Sequence, residues 1–148
     1  MSQTNHYLDT SVVLSHLLED GAHLQGLSQL SRVASSRLLW IEVSRGIHRG
    51  LQTGRLSVEQ ATEARHGFIS LSDGISQIRL TEEIYREAEG PFPLPIRTLD
   101  AIHLASAEIW LRSQGETNPA NLALWTLDTR MNHCAAQLGY LTPLMSSS

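Results

Sequence analysis

Leu122-Ala123-Leu124-Trp125-Thr126-Leu127-Asp128 is the stretch that decides the fold. The run from Leu122 to Leu127 is strongly apolar and too short for a helix, so it reads as a buried strand. Asp128 ends it. Met131, Cys134, Ala135 and Leu138 then fall on one helical stripe, and Gly139 stands where a C-terminal glycine cap belongs. The same order opens the chain. His6-Tyr7-Leu8 is a short apolar segment, Asp9 closes it, and a helix through Val12, Val13, Leu14, Leu17 and Leu18 follows. Thr10 or Ser11 is the expected cap of that helix, and Asp20-Gly21 its stop.

Between these two units the pattern alternates. The leucines at 24, 27 and 30 predict a helix over 22–34. A short strand over 37–40 is expected to enter a helix over 41–51. Ser57-Val58-Glu59-Gln60 is a capping box opening a helix to about residue 71. Asp73-Gly74 is a turn, Ile75, Ile78 and Leu80 suggest a strand, and Thr81-Glu82-Glu83 starts a helix that Gly90 ends. Pro91, Pro93 and Pro95 make an extended loop. A long helix over 98–112, a surface loop over 115–119 and a last strand over 140–144 complete the reading. Strands alternating with helices imply crossover connections, a short parallel sheet and helices on both faces. The expected architecture is a three-layer α/β/α domain over residues 1–145, with residues 146–148 as a frayed tail.

Composition narrows the chemistry. The chain has 148 residues, 41% hydrophobic and 18% charged, which describes one folded domain and not a disordered segment. All 11 basic residues are arginines. The absence of lysine excludes a P-loop, a kinase-type strand lysine and Schiff-base chemistry. A net charge of −4 argues against sequence-independent coating of nucleic acid. No apolar run is long enough to span a bilayer, and the N-terminus lacks a signal-peptide pattern. The single cysteine, Cys134, fits a reducing cytoplasm.

Three of the five aspartates, and one glutamate, lie at comparable places. Asp9 ends the first strand, Asp128 ends the apolar strand, Asp100 opens the long helix, and Glu42 begins the helix after the second strand. Singly, each has an ordinary explanation. Asp9 and Asp128 suit helix N-caps, Asp100 suits the helix dipole, and Glu42 suits a solvated face. Together, four carboxylates at the carboxyl edge of one sheet repel each other and raise each other's pKa, a cost that a divalent cation relieves. Mg²⁺ and Mn²⁺ take such oxygen ligands.

The arginines fit a phosphate-handling site. On a helical wheel Val43, Ile47 and Leu51 share one face, and Glu42, Arg45 and Arg49 the other. Arg97 lies one turn before Asp100, and Arg130 lies two residues after Asp128. Arginine grips phosphate through a bidentate fork, although salt bridging without a ligand is the plainer role. The seven histidines are scattered. His103, one turn from Asp100, is the one placed to support a ligand, and a structural role is its ordinary reading. Trp40, Trp110 and Trp125 are expected in the core, Ala101, Ala105 and Ala107 at a close helix contact, and Cys134 as an inert thiol.

The chain resembles the PIN-domain ribonucleases of the VapC toxin family. The resemblance rests on Tyr7-Leu8-Asp9-Thr10-Ser11, on residues 40–46 (Trp-Ile-Glu-Val-Ser-Arg-Gly), on residues 97–107 (Arg-Thr-Leu-Asp-Ala-Ile-His-Leu-Ala-Ser-Ala), and on Thr126-Leu127-Asp128 with residues 135–139. These segments span nearly the whole chain, and the third is the most specific. One departure is a longer stretch between Asp100 and Asp128, where residues 114–120 resemble an inserted loop. The resemblance implies a PIN-like fold and an acidic quartet of Asp9, Glu42, Asp100 and Asp128. It implies Mg²⁺, or Mn²⁺ in its place, with Asp9 and Asp100 as principal ligands and Asp128 and Glu42 completing the set. Thr10, Ser11 and Thr126 would steady the ligand carboxylates, and Arg45, Arg49 and Arg97 would hold RNA phosphates. It also implies endoribonuclease activity, the role of toxin in a toxin–antitoxin pair, a VapB-like antitoxin and a homodimer.

Two rivals are weighed. A phosphatase of the haloacid-dehalogenase type needs a second aspartate two residues after the first, where this chain has Ser11, and usually employs a lysine. A non-catalytic PIN-like module that binds RNA or protein would be expected to lose acidic residues, and all four are present.

Overall fold

The computed structural model describes residues 3–19, 23–24 and 26–146. Four strands, β1 (Asn5–Leu8), β2 (Val33–Ser36), β3 (Ser76–Ile78) and β4 (Leu122–Trp125), form one sheet in the order β3-β2-β1-β4, and every pairing is parallel. Six helices connect them: α1 (Thr10–Leu18), α2 (Arg37–Gln52), α3 (Val58–Ser72), α4 (Glu82–Ala88), α5 (Thr98–Ser113) and α6 (Thr129–Gln137).

Alternation along the strands builds the layers. Successive side chains point to opposite faces, so Leu8 joins the core of α1, α2 and α3 with Val12, Val43 and Phe68. Tyr7 joins the other core, with Leu104 of α5 and Met131 and Cys134 of α6. The register pairs Tyr7 with Leu124 and Leu8 with Trp125, which puts Leu124 and Trp125 on the matching faces. The expected three-layer α/β/α arrangement is thus present. Ala101, Ala105 and Ala107 are buried, as is Cys134, whose thiol pKa burial pushes up.

Several local expectations need correction. The helix predicted over 22–34 is absent from its described part, which holds a 3-10 turn at Leu27–Gln29 and the first two residues of β2. Leucines spaced three apart, with no interval of four, match the 3-10 repeat, and Gly26 at φ +81° interrupts the backbone just before the turn. The strand lies at Val33–Ser36 and not at 37–40, and its helix starts four residues earlier than expected. Serines disguise this strand. Ser35 Oγ donates to Leu8 O at 2.6 Å, and the Ser36 side chain caps Leu38 N at 3.2 Å, so two polar residues sit fully buried. The cap of α1 is Asp9, not Thr10 or Ser11. The last strand shrinks to one parallel bridge between Ala123 and Leu141, because Pro143 has no N–H to extend the ladder. The three tryptophans are half-buried against the cores and not inside them. The Asp20-Gly21 stop lies outside the described residues, as do residues 147–148 of the expected tail.

Sheet order has a consequence for the site. From β1 the chain moves outward through β2 to β3, then returns to the other side of β1 as β4. Connections leaving β1 and β4 therefore diverge, which opens a crevice at the carboxyl ends of these two strands. Asp9 and Asp128 follow those two strands.

Candidate metal centre

Asp9 is 6% exposed and is held from one side. Its Oδ2 accepts from Ser11 Oγ at 2.7 Å, from Thr126 Oγ1 at 2.8 Å and from Ser11 N at 3.4 Å. Ser11 Oγ in turn accepts from Leu127 N at 3.0 Å, and Thr126 Oγ1 accepts from Asp128 N at 3.1 Å. The segment after β4 is therefore pinned to the segment after β1 through two hydroxyls. Asp128 caps α6 by accepting from Met131 N at 2.8 Å. The capping explanation of Asp9 and Asp128 is thus correct, and it holds both carboxylates at the same crevice.

Asp100 stands in the first turn of α5, half-buried. Burial raises its pKa, and the charges of Asp9 and Asp128 raise it further, against the opposing pull of His103 and Arg97. Three carboxylates that feel one another across this edge are the arrangement expected of an acidic centre. Arg97, Asp100, Leu127, Asp128, Thr129 and Arg130 line one open cleft of about 400 Å³. A cavity of about 790 Å³ lies between α4, the proline loop and the start of α5, and none of the four carboxylates lines it.

Glu42 sits differently. Its Oε1 accepts from Thr10 Oγ1 at 2.7 Å and from His103 Nε2 at 2.7 Å. Burial would push its carboxyl up, but the hydrogen bonds from His103 and Thr10, with the His103 charge, pull it below the ordinary value. His103 is 1% exposed. Burial works against its charge, yet Tyr7, Glu42 and Asp9 hold its pKa up at about 10. Its Nδ1 lies 2.7 Å from the Tyr7 hydroxyl, which also accepts from Ser36 N at 3.2 Å. Its Nε2 lies 3.8 Å from Asp9 Oδ1 and 3.4 Å from Thr10 Oγ1.

The expected site residues thus divide. Asp9, Asp100 and Asp128 share the crevice, Ser11 and Thr126 hold Asp9, and Thr10 holds Glu42. Arg97 lines the acidic cleft with Arg130. Arg45 and Arg49 are exposed on α2, make no salt bridge among the described residues, and do not line that cleft. His103 is the residue that sequence reading placed in an ordinary structural role, and its only signal was its position one turn after Asp100.

The donor chemistry fits a hard divalent cation. Asp9 offers a second oxygen, Oδ1, outside its serine and threonine hydrogen bonds, and Asp100 carries a charge that its neighbours disfavour. Among the described residues no three His, Cys, Asp or Glu side chains are grouped to hold one ion. Mg²⁺ does not require such a cage; it keeps several waters and takes one or two carboxylates.

No curated protein sequence matches the chain. Among solved structures, VapBC-1 from nontypeable Haemophilus influenzae, at 2.2 Å resolution, is similar at 15% identity and a TM-score of 0.47, over 90% of this chain and 94% of that one. The sequence model of the PIN domain matches residues 6–136. That match takes in all four strands but for the first residue of β1, all but the last residue of α6 and all four carboxylates, and the chain belongs to the PIN domain family.

Proposed function

We propose that this chain is a divalent-metal-dependent endoribonuclease, the toxin of a toxin–antitoxin pair, working as a homodimer in the cytoplasm and restrained by a VapB-like antitoxin. The observation that carries the nuclease reading is the electrostatic coupling of Asp100 with Asp9 and Asp128 at the β1/β4 crevice of a PIN domain. RNA as substrate, the antitoxin and the dimer rest on the resemblance to VapC toxins.

Asp9, Asp100 and Asp128 would hold Mg²⁺ or Mn²⁺ by one or two direct carboxylate contacts, the rest passing through the cation's waters. When bound, the cation polarises the phosphate and makes water a better nucleophile. The chain's own residues do the rest. Ser11 and Thr126 fix Asp9, so that its carboxylate needs no reorganisation when the cation arrives. Arg97 and Arg130 flank Asp100 and Asp128 in one cleft and would take the flanking phosphates in bidentate contacts. His103 is buried and engaged at both nitrogens, so it is not placed to deprotonate a 2′-hydroxyl.

Product ends test the reading. Cleavage should leave a 5′-phosphate and a 3′-hydroxyl, stop in EDTA and resume with Mg²⁺ or Mn²⁺. Cyclic 2′,3′-phosphate ends formed in EDTA would overturn it, and RNA binding without cleavage would favour a non-catalytic PIN-like module.

A further inference from the structure

We propose that His103 is a positioning residue of this site, fixing the rotation of α5, and so the place of Asp100, by bonding Glu42 and Tyr7 at once. The inference rests on the nuclease reading above and concerns how its carboxylates are held.

Four segments meet at this one ring. His103 itself belongs to α5. Its Nε2 bonds Glu42 of α2 at 2.7 Å and lies 3.4 Å from Thr10 at the start of α1. Its Nδ1 faces Tyr7 of β1 at 2.7 Å, and Tyr7 is itself anchored by Ser36 N at the end of β2. A planar ring held at both nitrogens cannot turn, and neither can the helix that carries it. Asp100 is three residues earlier on α5, so it lies on the same side of the helix one turn away. Locking His103 therefore locks the angular position of Asp100 relative to Asp9.

Glu42 has a distinct part in this arrangement. One of its oxygens takes two donors at 2.7 Å each, so it acts as the anchor for His103 and Thr10. A histidine kept only to fill core volume would not require this. Removing one partner of a buried ionic pair leaves the other unpaired and costs stability, so a folded apolar variant shows what the ring does besides filling space. An apolar substitute would fill the space and release the helix.

The test separates filling from positioning. Mn²⁺ affinity is measured by calorimetry, and kcat and KM with a single-stranded RNA, for wild type, His103→Leu, His103→Gln and His103→Asn. The Gln amide nitrogen reaches toward Glu42 as Nε2 does; the Asn amide reaches only toward Tyr7. His103→Leu should lower Mn²⁺ affinity and kcat by about 10- to 100-fold, the usual cost of losing a group that orients a ligand, with KM within about twofold. His103→Gln should recover most of that loss, and His103→Asn should not. Should His103→Leu fail to fold, the Gln and Asn variants carry the comparison alone. Wild-type Mn²⁺ affinity and kcat in folded His103→Leu, or equal values for Gln and Asn, would overturn the proposal and leave the nuclease reading intact. Wild-type protein that neither binds Mn²⁺ nor cuts RNA would overturn both.

Discussion

Thr126→Val isolates a single hydroxyl at the heart of the site. Thr126 is fully buried. Its Oγ1 donates to Asp9 Oδ2 at 2.8 Å and accepts from Asp128 N at 3.1 Å. Valine has nearly the same shape, so the substitution leaves no cavity and removes only the hydrogen bonds. A hydrogen bond to a charged acceptor contributes about 1.5–3 kcal/mol. Asp128 N is near the surface, and water can replace its lost acceptor. The expected loss is therefore about 2–3 kcal/mol, which for a chain of this length lowers Tm by roughly 5–10 °C. Thr126→Ser keeps the hydroxyl and loses one methyl, so its cost should be about 1 kcal/mol. Differential scanning calorimetry of the metal-free protein compares the three. A Val variant no less stable than the Ser variant would refute the idea that this hydroxyl holds Asp9.

Other expectations are equally direct. Asp100→Asn should stabilise the metal-free protein at pH 7, because burial, Asp9 and Asp128 all oppose its charge; as the pH falls toward 3.8 the wild-type carboxyl is neutralised and the difference should vanish, whereas urea titrations showing a less stable Asn variant at pH 7 would count against the coupling. The Glu42–His103 pair has its own pH window. His103, held up at about 10, contributes fully below 6.5 and loses its contribution as pH rises through about 10, while Glu42, held below its ordinary 4.5, loses its part as pH falls through that lowered value. Wild-type Tm should thus decline between pH 6.5 and 10 more steeply than that of Glu42→Gln, and equal slopes would contradict the pairing. Arg97→Ala should weaken RNA binding and reduce the log–log salt dependence by about one unit, while Arg49→Ala should do so less; the opposite ranking in filter binding would move the RNA path onto α2.

What was legible in the sequence followed from local order. A strand that ends in aspartate and runs straight into a helix needs only adjacent residues to be recognised, so Asp9 and Asp128 could be located, and the parallel sheet with them. β2 was misplaced because Val33-Ala34-Ser35-Ser36 lacks the apolar run of a buried strand. Its serines are satisfied by Leu8 O and Leu38 N, partners that no periodicity reveals. The arginines divide the same way. Adjacency in sequence put Arg97 beside Asp100 and Arg130 beside Asp128, and both line that cleft, whereas Arg45 and Arg49, put beside Glu42 by a helical wheel, do not line it. Glu42 and His103 are 61 residues apart, and their bond joins α2 to α5 across the fold. Only the folded chain brings them together.

Strand β1 is four residues long, lies between two neighbours, and ends at Leu8 immediately before Asp9. It cannot fray as an edge strand can, since releasing it would separate β2 from β4 and open both cores. The acidic crevice is thus built on the central strand of the sheet. Inactivation and global unfolding become one event: backbone amides of residues 6–9 should exchange with deuterium at the rate of whole-chain unfolding, and residual activity becomes a direct gauge of the folded population. A substitution far from the crevice, in α3 for example, should then silence the protein only to the extent that it unfolds it.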